Sequence, residues 1–249
     1  MKIILAPAKK MVSDDSLSYS DIPVFIDEAN ELLNYLKKQS FEELKRIYKA
    51  SDSIVLENME RIREVDLSKS LSPAILSYDG IAFKHMAPNV FTDKEFNYVQ
   101  KHLRILSGLY GVLKPFDGIR PYRLEMGSTI SYLDYRDLYS YWNNRLYEEI
   151  LDDDHLIINL ASKEYSKIIE DFIKEEDRFI TITFKELVKG KYVSKATYAK
   201  MARGEMVRFM AENEVEDLDK LKEFNNLGFK YSDDLSSDNE FVFIKEGDE

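Results

Sequence analysis

The 249-residue chain contains no cysteine. Thiol nucleophiles, thiol peroxidases, zinc ribbons and cysteine-ligated iron–sulfur clusters are therefore excluded within it. The same absence agrees with an intracellular address without requiring one. Histidine is also scarce: His85, His102 and His155 lie far apart, and none stands in a His-x-x-x-His or Glu-x-x-His arrangement. No metal site and no cofactor are expected from such a set. The nine glycines and six prolines are scattered rather than gathered into a linker, which predicts one domain over residues 1–249. No apolar run approaches the ~20 residues of a membrane span, so no membrane partner is expected. The apolar opening Met1–Pro7 is too short for a secretory signal and reads as a first strand, which places the chain in the cytoplasm. Nucleophile-elbow, Walker A and dinucleotide fingerprints are missing. So is any repeat of 20 to 50 residues.

What is present is an ample apolar fraction, 44%, and a strongly uneven distribution of charge within a net −11. Residues 1–11 carry Lys2, Lys9 and Lys10 and no acid. Residues 100–125 carry Lys101, Arg104, Lys114, Arg120 and Arg123 against Asp117 and Glu125. Residues 195–208 carry Lys195, Lys200, Arg203 and Arg208 against Glu205. If these three islands converge in the fold, an otherwise acidic protein holds one basic cleft.

Periodicity supplies the elements. Lys2–Leu5 reads as a buried strand that Pro7 ends, leaving Lys9 at its carboxyl edge, where open α/β sheets bind ligands. Ile26, Ala29, Leu32, Leu33 and Leu36 mark a helix over 24–38, and Ser40 with Glu43 forms a capping box for the next. Residues 53–64 continue helical. Pro73–Tyr78 reads as a strand. Thr92 and Glu95 form a second capping box, and Phe96, Val99, Leu103 and Leu106 predict a helix running to Gly108, with Lys101 and Arg104 neighbours on its surface. Asp134 or Asp137 caps a helix through Ile150. His155–Leu160 and Arg178–Phe184 are strands, the latter turning at Lys189-Gly190 into Lys191–Val193, and Ala196–Glu212 is a helix. Two strands, 224–229 and 241–244, close the chain, and 246–249 reads as a frayed tail.

The segment Lys101–Gly127 concentrates glycine, proline and arginine between amphipathic stretches. A helix stopping at Gly108 and restarting near Gly111 would present free amides which, with Arg104, Lys114, Arg120 and Arg123, suit a phosphate. A plain connecting loop is the alternative. Pro121 extends Arg120-Pro-Tyr-Arg-Leu-Glu125, so Arg123 and Glu125 face one way and Leu124 the other. That arrangement suits either bidentate anion recognition or an internal salt-bridge network. Leu106–Gly111 also partly matches a helix-hairpin-helix, whose glycine turn offers amides to a DNA backbone, although two residues rather than one separate its glycines.

Several segments together resemble the YaaA family of bacterial peroxide-stress proteins: Ala6-Pro-Ala-Lys9, His102–Pro115, Arg120–Gly127, Ile158–Tyr165, Ala199–Gly204 and Phe224–Phe229. The likeness spans essentially the whole chain in order. It departs at Ala6 and Lys10, where the family usually reads Ser-Pro-Ala-Lys-Thr. The resemblance implies a single mixed α/β (α+β) domain of YaaA-like topology, a mixed sheet with packed helices around a basic cleft. It also implies DNA binding through a helix-hairpin-helix-like element and a part in limiting damage when peroxide meets intracellular iron.

Two functions follow as expectations. The first is double-stranded DNA bound in a cleft lined by Lys9, Arg104, Lys114, Arg120, Arg123, Lys200 and Arg203, with amides donated by Gly108 and Gly111. The second is an enzyme acting on a phosphorylated or nucleotide-like small molecule in the same cleft, with Lys9 as nucleophile or clamp and Glu125 as acid or base. An enclosed pocket of a few hundred cubic ångströms favours the second, an open groove the first.

Overall fold

A computed structural model describes residues 1–246. The opening hydrophobic run forms β1 (Lys2–Leu5), with Ile3, Ile4 and Leu5 fully buried. Three amphipathic helices follow: α1 (Ile26–Lys37), α2 (Phe41–Tyr48) and α3 (Asp52–Glu64). Ser40 caps α2 by accepting from the Glu43 amide at 3.3 Å, satisfying one of the otherwise unpaired first-turn donors. Short elements β2 (Ser72–Pro73), α4 (Ala74–Ser77) and α5 (Ile81–Met86) lead to α6 (Asp93–His102), which Thr92 and Glu95 start as a capping box.

Beyond α6 the chain departs from the helical reading. The helix stops at His102, and Leu103–Ser107 is strand β3, followed by β4 (Gly111–Leu113). Leu103, Ile105 and Leu106 are buried on both faces of the sheet, and a strand buried on both sides has a continuous apolar run that mimics helical spacing. Arg104 therefore lies in a central strand rather than beside Lys101 on a helix. The pair β3–β4 is an antiparallel hairpin, with Ser107 opposite Gly111. The glycines Gly108 and Gly111 thus belong to a β-hairpin, not to a helix-hairpin-helix.

The chain continues through β5 (Gly118–Ile119), β6 (Thr129–Tyr132), β7 (Tyr135–Asp137), α7 (Leu138–Trp142), α8 (Arg145–Ile150), β8 (Leu156–Asn159) and α9 (Lys163–Glu170). It closes with β9 (Arg178–Val188), β10 (Lys191–Val193), α10 (Ala196–Glu212), α11 (Leu218–Leu221), β11 (Lys230–Tyr231) and β12 (Glu240–Glu246). Three more boundaries differ from expectation. Pro73–Tyr78 is mostly the single turn α4, because Pro73 serves as its N-cap. The helix that Asp137 caps breaks at Asn143, whose φ of 48° leaves the helical region. Phe224–Phe229 is a tight turn with Leu227 at φ 56°, not a strand. The expected frayed tail lies, beyond Glu246, outside the described residues.

The main sheet has eight strands in the order β11-β12-β9-β8-β1-β3-β4, with β10 added beside β9. β1, β3, β8, β9 and β12 are mutually parallel, and β4, β10 and β11 run against their neighbours. From β1 the chain crosses to β3 on one side, while from β8 it crosses through α9 to β9 on the other. β1 and β8 are adjacent, so their connections leave in opposite directions, and the crevice at their carboxyl ends is a topological switch point. One continuous cluster of buried apolar residues underlies the sheet and its helices. Among the described residues no helix is long and apolar enough to cross a membrane.

Candidate functional site

A cleft of about 520 Å³ opens at that switch point. Its floor comes from the end of β1 and the loop Ala6–Lys10, its opposite edge from Leu160 and Ser162 after β8. Asn159 braces the second turn, its Oδ1 accepting from the Ala161 amide at 2.9 Å. The first turn of α5 forms one wall, the extended segment Tyr122–Glu125 another, and Lys200 and Arg203 reach in from α10.

Two close backbone approaches set this geometry. A Cβ on Gly108 would lie 2.4 Å from the Leu124 carbonyl oxygen, so the glycine lets Tyr122–Glu125 lie across the β3–β4 hairpin. A Cβ on Gly204 would lie 2.0 Å from the Ala82 carbonyl oxygen, so α10 can seat against α5 only without a side chain there. The extended backbone then alternates as Pro121 dictates: Leu124 is buried, while Arg123 and Glu125 share the cleft side. Glu125 is held between two cations, with Lys9 Nζ at 2.6 Å and Arg123 at 2.7 Å. Lys10 pairs with Asp79, which also meets Lys84 at 2.9 Å. Glu164 accepts from the Gly127 amide at 2.9 Å.

Five cations and three carboxylates line the cleft, and two of the cations stand apart. Arg203 makes no hydrogen bond or ion pair among the described residues, its Nε is buried without a partner, and burial alone pulls its pKa down. Lys200 likewise has no partner there and is exposed at the rim. A half-buried guanidinium without a counter-charge is unfavourable unless an anion joins it. Beneath the cleft the Tyr122 hydroxyl, 3.0 Å from Tyr78 and 2.6 Å from Ser107, is pushed up to about 12 by burial, so it remains protonated.

Of the residues singled out from the sequence, the structure brings together Lys9, Arg123, Glu125, Lys200 and Arg203. It places the other five elsewhere. Arg104 is buried and gives its guanidinium to the Leu103 carbonyl at 2.7 Å. Gly108 and Gly111 are buried, the Gly108 carbonyl accepting from Trp142 at 3.1 Å, so neither glycine lines the cleft. Lys114 stands in the turn that Asp117 closes. Arg120 turns away to donate to the Ser70 carbonyl at 2.8 Å, facing a separate hollow of about 220 Å³ with Arg61. The sequence reading missed Asp79, Ser162, Glu164 and Tyr165 as lining residues. Ser162, placed between a buried strand and the start of α9, was the available signal. Among the described residues no cluster of three His, Asp or Glu could hold a metal ion.

The chain matches the family model described as peroxide stress protein YaaA over residues 1–235. Curated relatives carry the name UPF0246 protein. That of Agathobacter rectalis is 54% identical over 98% of both chains, and that of Desulfitobacterium hafniense 51% identical over 98% of both. That of Ligilactobacillus salivarius is 46% identical over 98% of this chain and all of its own.

Proposed function

Because the chain belongs to the YaaA family of peroxide stress proteins, we propose that it serves peroxide tolerance through the switch-point cleft, which binds a small phosphate-bearing molecule. The observation that carries this reading is Arg203, a cation drawn into the cleft with no partner among the described residues. The cleft has the volume of a small-molecule pocket. Glu125, between Lys9 and Arg123, is the group placed to move a proton if the bound molecule is also transformed. Calorimetric titration of inorganic phosphate tests the reading: wild type should bind, and Arg203→Gln should lose at least tenfold in affinity with an unchanged melting temperature. Equal affinity in the variant would sink it. In cells, loss of the protein should raise iron-dependent killing by peroxide, with rescue by wild type and not by Arg203→Gln.

A second reading, double-stranded DNA, is favoured by the β9–β10 arm. β8 pairs with β9 as far as Thr181, and β10 takes the same edge from Glu186 onward. The arm therefore stands ~16 Å beyond β8, at about 3.3 Å per residue, on the side where the cleft opens. From 185 to 195 the arm and the residues that follow it carry four lysines against Glu186, and Lys189, Lys191 and Tyr192 are exposed. Fluorescence anisotropy of a labelled duplex at two salt concentrations tests it; absence of binding at low salt would remove this reading and leave the first untouched.

A further inference from the structure

The make-up of the cleft narrows the class of molecule it takes, on the premise, proposed above, that it binds a phosphate. We propose that the ligand is a nucleoside monophosphate.

Charge balance sets the number of phosphates. The lining holds five cations, Lys9, Lys10, Arg123, Lys200 and Arg203, against three carboxylates, Asp79, Glu125 and Glu164, a net of two positive charges; Lys9 and Arg123 already meet Glu125, and Lys10 meets Asp79. Arg203 and Lys200 are the two left without a partner among the described residues. Two positive charges match a phosphate monoester, which carries about −1.5 to −2 at neutral pH. A triphosphate would bring roughly twice that charge into a wall that also holds Asp79, Glu125 and Glu164, and those carboxylates would repel it.

The rest of the wall specifies what the phosphate is attached to. Ala6, Pro7 and Ala8, with Ile81, Ala82 and Phe83 beside them across the close Ala8–Gly80 approach, are apolar surface that a bare phosphate leaves wet. A planar apolar ring covers it. The same lining also holds acceptors, Glu125 and Glu164, and the Ser162 hydroxyl, which suit the hydroxyls of a sugar. Ring, sugar and one phosphate use all three surfaces, and the 520 Å³ volume holds one nucleotide. The position agrees: a crevice flanked by loops that leave in opposite directions from adjacent parallel strands is where such sheets take nucleotides.

The test is calorimetric titration of the full chain with the four common ribonucleoside monophosphates and their nucleosides, ATP, ribose 5-phosphate and inorganic phosphate. At least one monophosphate should bind tenfold or more tightly than ribose 5-phosphate, its own nucleoside and ATP. Lys200→Gln, at the exposed rim where folding is not at stake, should weaken that monophosphate at least fivefold and leave any nucleoside binding unchanged. If ribose 5-phosphate and phosphate bind as well as every nucleotide, the phosphate reading survives and the nucleotide assignment falls. If nothing phosphorylated binds, both fall. A 5′-phosphorylated tetranucleotide separates two sources of the same chemistry. Binding equal to the free nucleotide supports a strand end, and at least tenfold weaker binding supports the free pool.

Discussion

Asp117 lies under the Lys114–Gly118 turn, 3% exposed, its carboxylate accepting from the Lys114 amide at 2.8 Å. Burial raises its pKa from 3.8 to about 6, with Asp21 adding to the shift and Lys114 and Arg104 opposing it. A folded-state pKa above the unfolded value means that the fold holds the proton more tightly. The associated stability is complete below about pH 4 and is lost as pH rises through about 6. Asp117→Asn keeps the acceptor and removes the titration. It should therefore gain on the order of 2 kcal/mol over wild type between pH 4 and pH 7, read by urea unfolding at both pH values. The two arginines of Arg120-Pro-Tyr-Arg123 separate just as cleanly. Arg123→Ala, which leaves Glu125 with Lys9 alone and removes one positive charge from the lining, should weaken phosphate binding at least threefold, whereas Arg120→Ala, which only loses its bond to the Ser70 carbonyl, should leave it within twofold. A joint loss in both variants would mean that the two hollows form one site. Both side chains were visible in the sequence. Their different destinations were not, because they depend on partners distant in sequence: the Ser70 carbonyl takes Arg120, and Lys9 fixes the Glu125 carboxylate that takes Arg123.

At the scale of elements, the N-cap at Ser40, the capping box at Thr92, the alternation of Arg178–Phe184 and the α10 periodicity could be read directly, since each signal is local. What resisted was Leu103–Ser107, a five-residue stretch whose burial on both faces erases the difference between periods of 2 and 3.6. Helical spacing there implies a pair of helices with anion-binding glycines, where the fold has a β-hairpin. Their role is packing instead, and that of Gly204 has a testable sign. In an ordinary helix interior Gly→Ala stabilises by ~1 kcal/mol. At Gly204 the added methyl would meet the Ala82 carbonyl, so Gly204→Ala should destabilise by about 2 kcal/mol, as overpacked cores do. It should also shift Lys200 and Arg203 out of the cleft. A lower melting temperature together with weaker phosphate binding is the expected pair of results; a stabilised variant would show that α10 and α5 are not seated this closely.

Across the whole molecule, the three basic islands foreseen from the sequence converge only in part. The first supplies Lys9 and Lys10, the second Arg123 and the third Lys200 and Arg203, while Arg104, Lys114 and Arg120 are held by backbone turns and carbonyls. The resulting cleft is small, and the surplus of positive charge continues outside it, along β10, on a chain of net −11. This division makes the two functional readings separable in one protein. Lys189→Glu with Lys191→Glu alters exposed arm residues that touch neither Arg203 nor Glu125. If duplex DNA is bound, each phosphate contact releases counterions and contributes about 0.9 to the slope of log affinity against log salt. The double variant should then reduce that slope by about two and abolish binding near physiological salt, measured by anisotropy across a salt series, while phosphate titrates the cleft unchanged. An unchanged slope would place any DNA contact off the arm. A parallel loss of phosphate affinity would instead mean that the arm closes over the cleft and belongs to the same site.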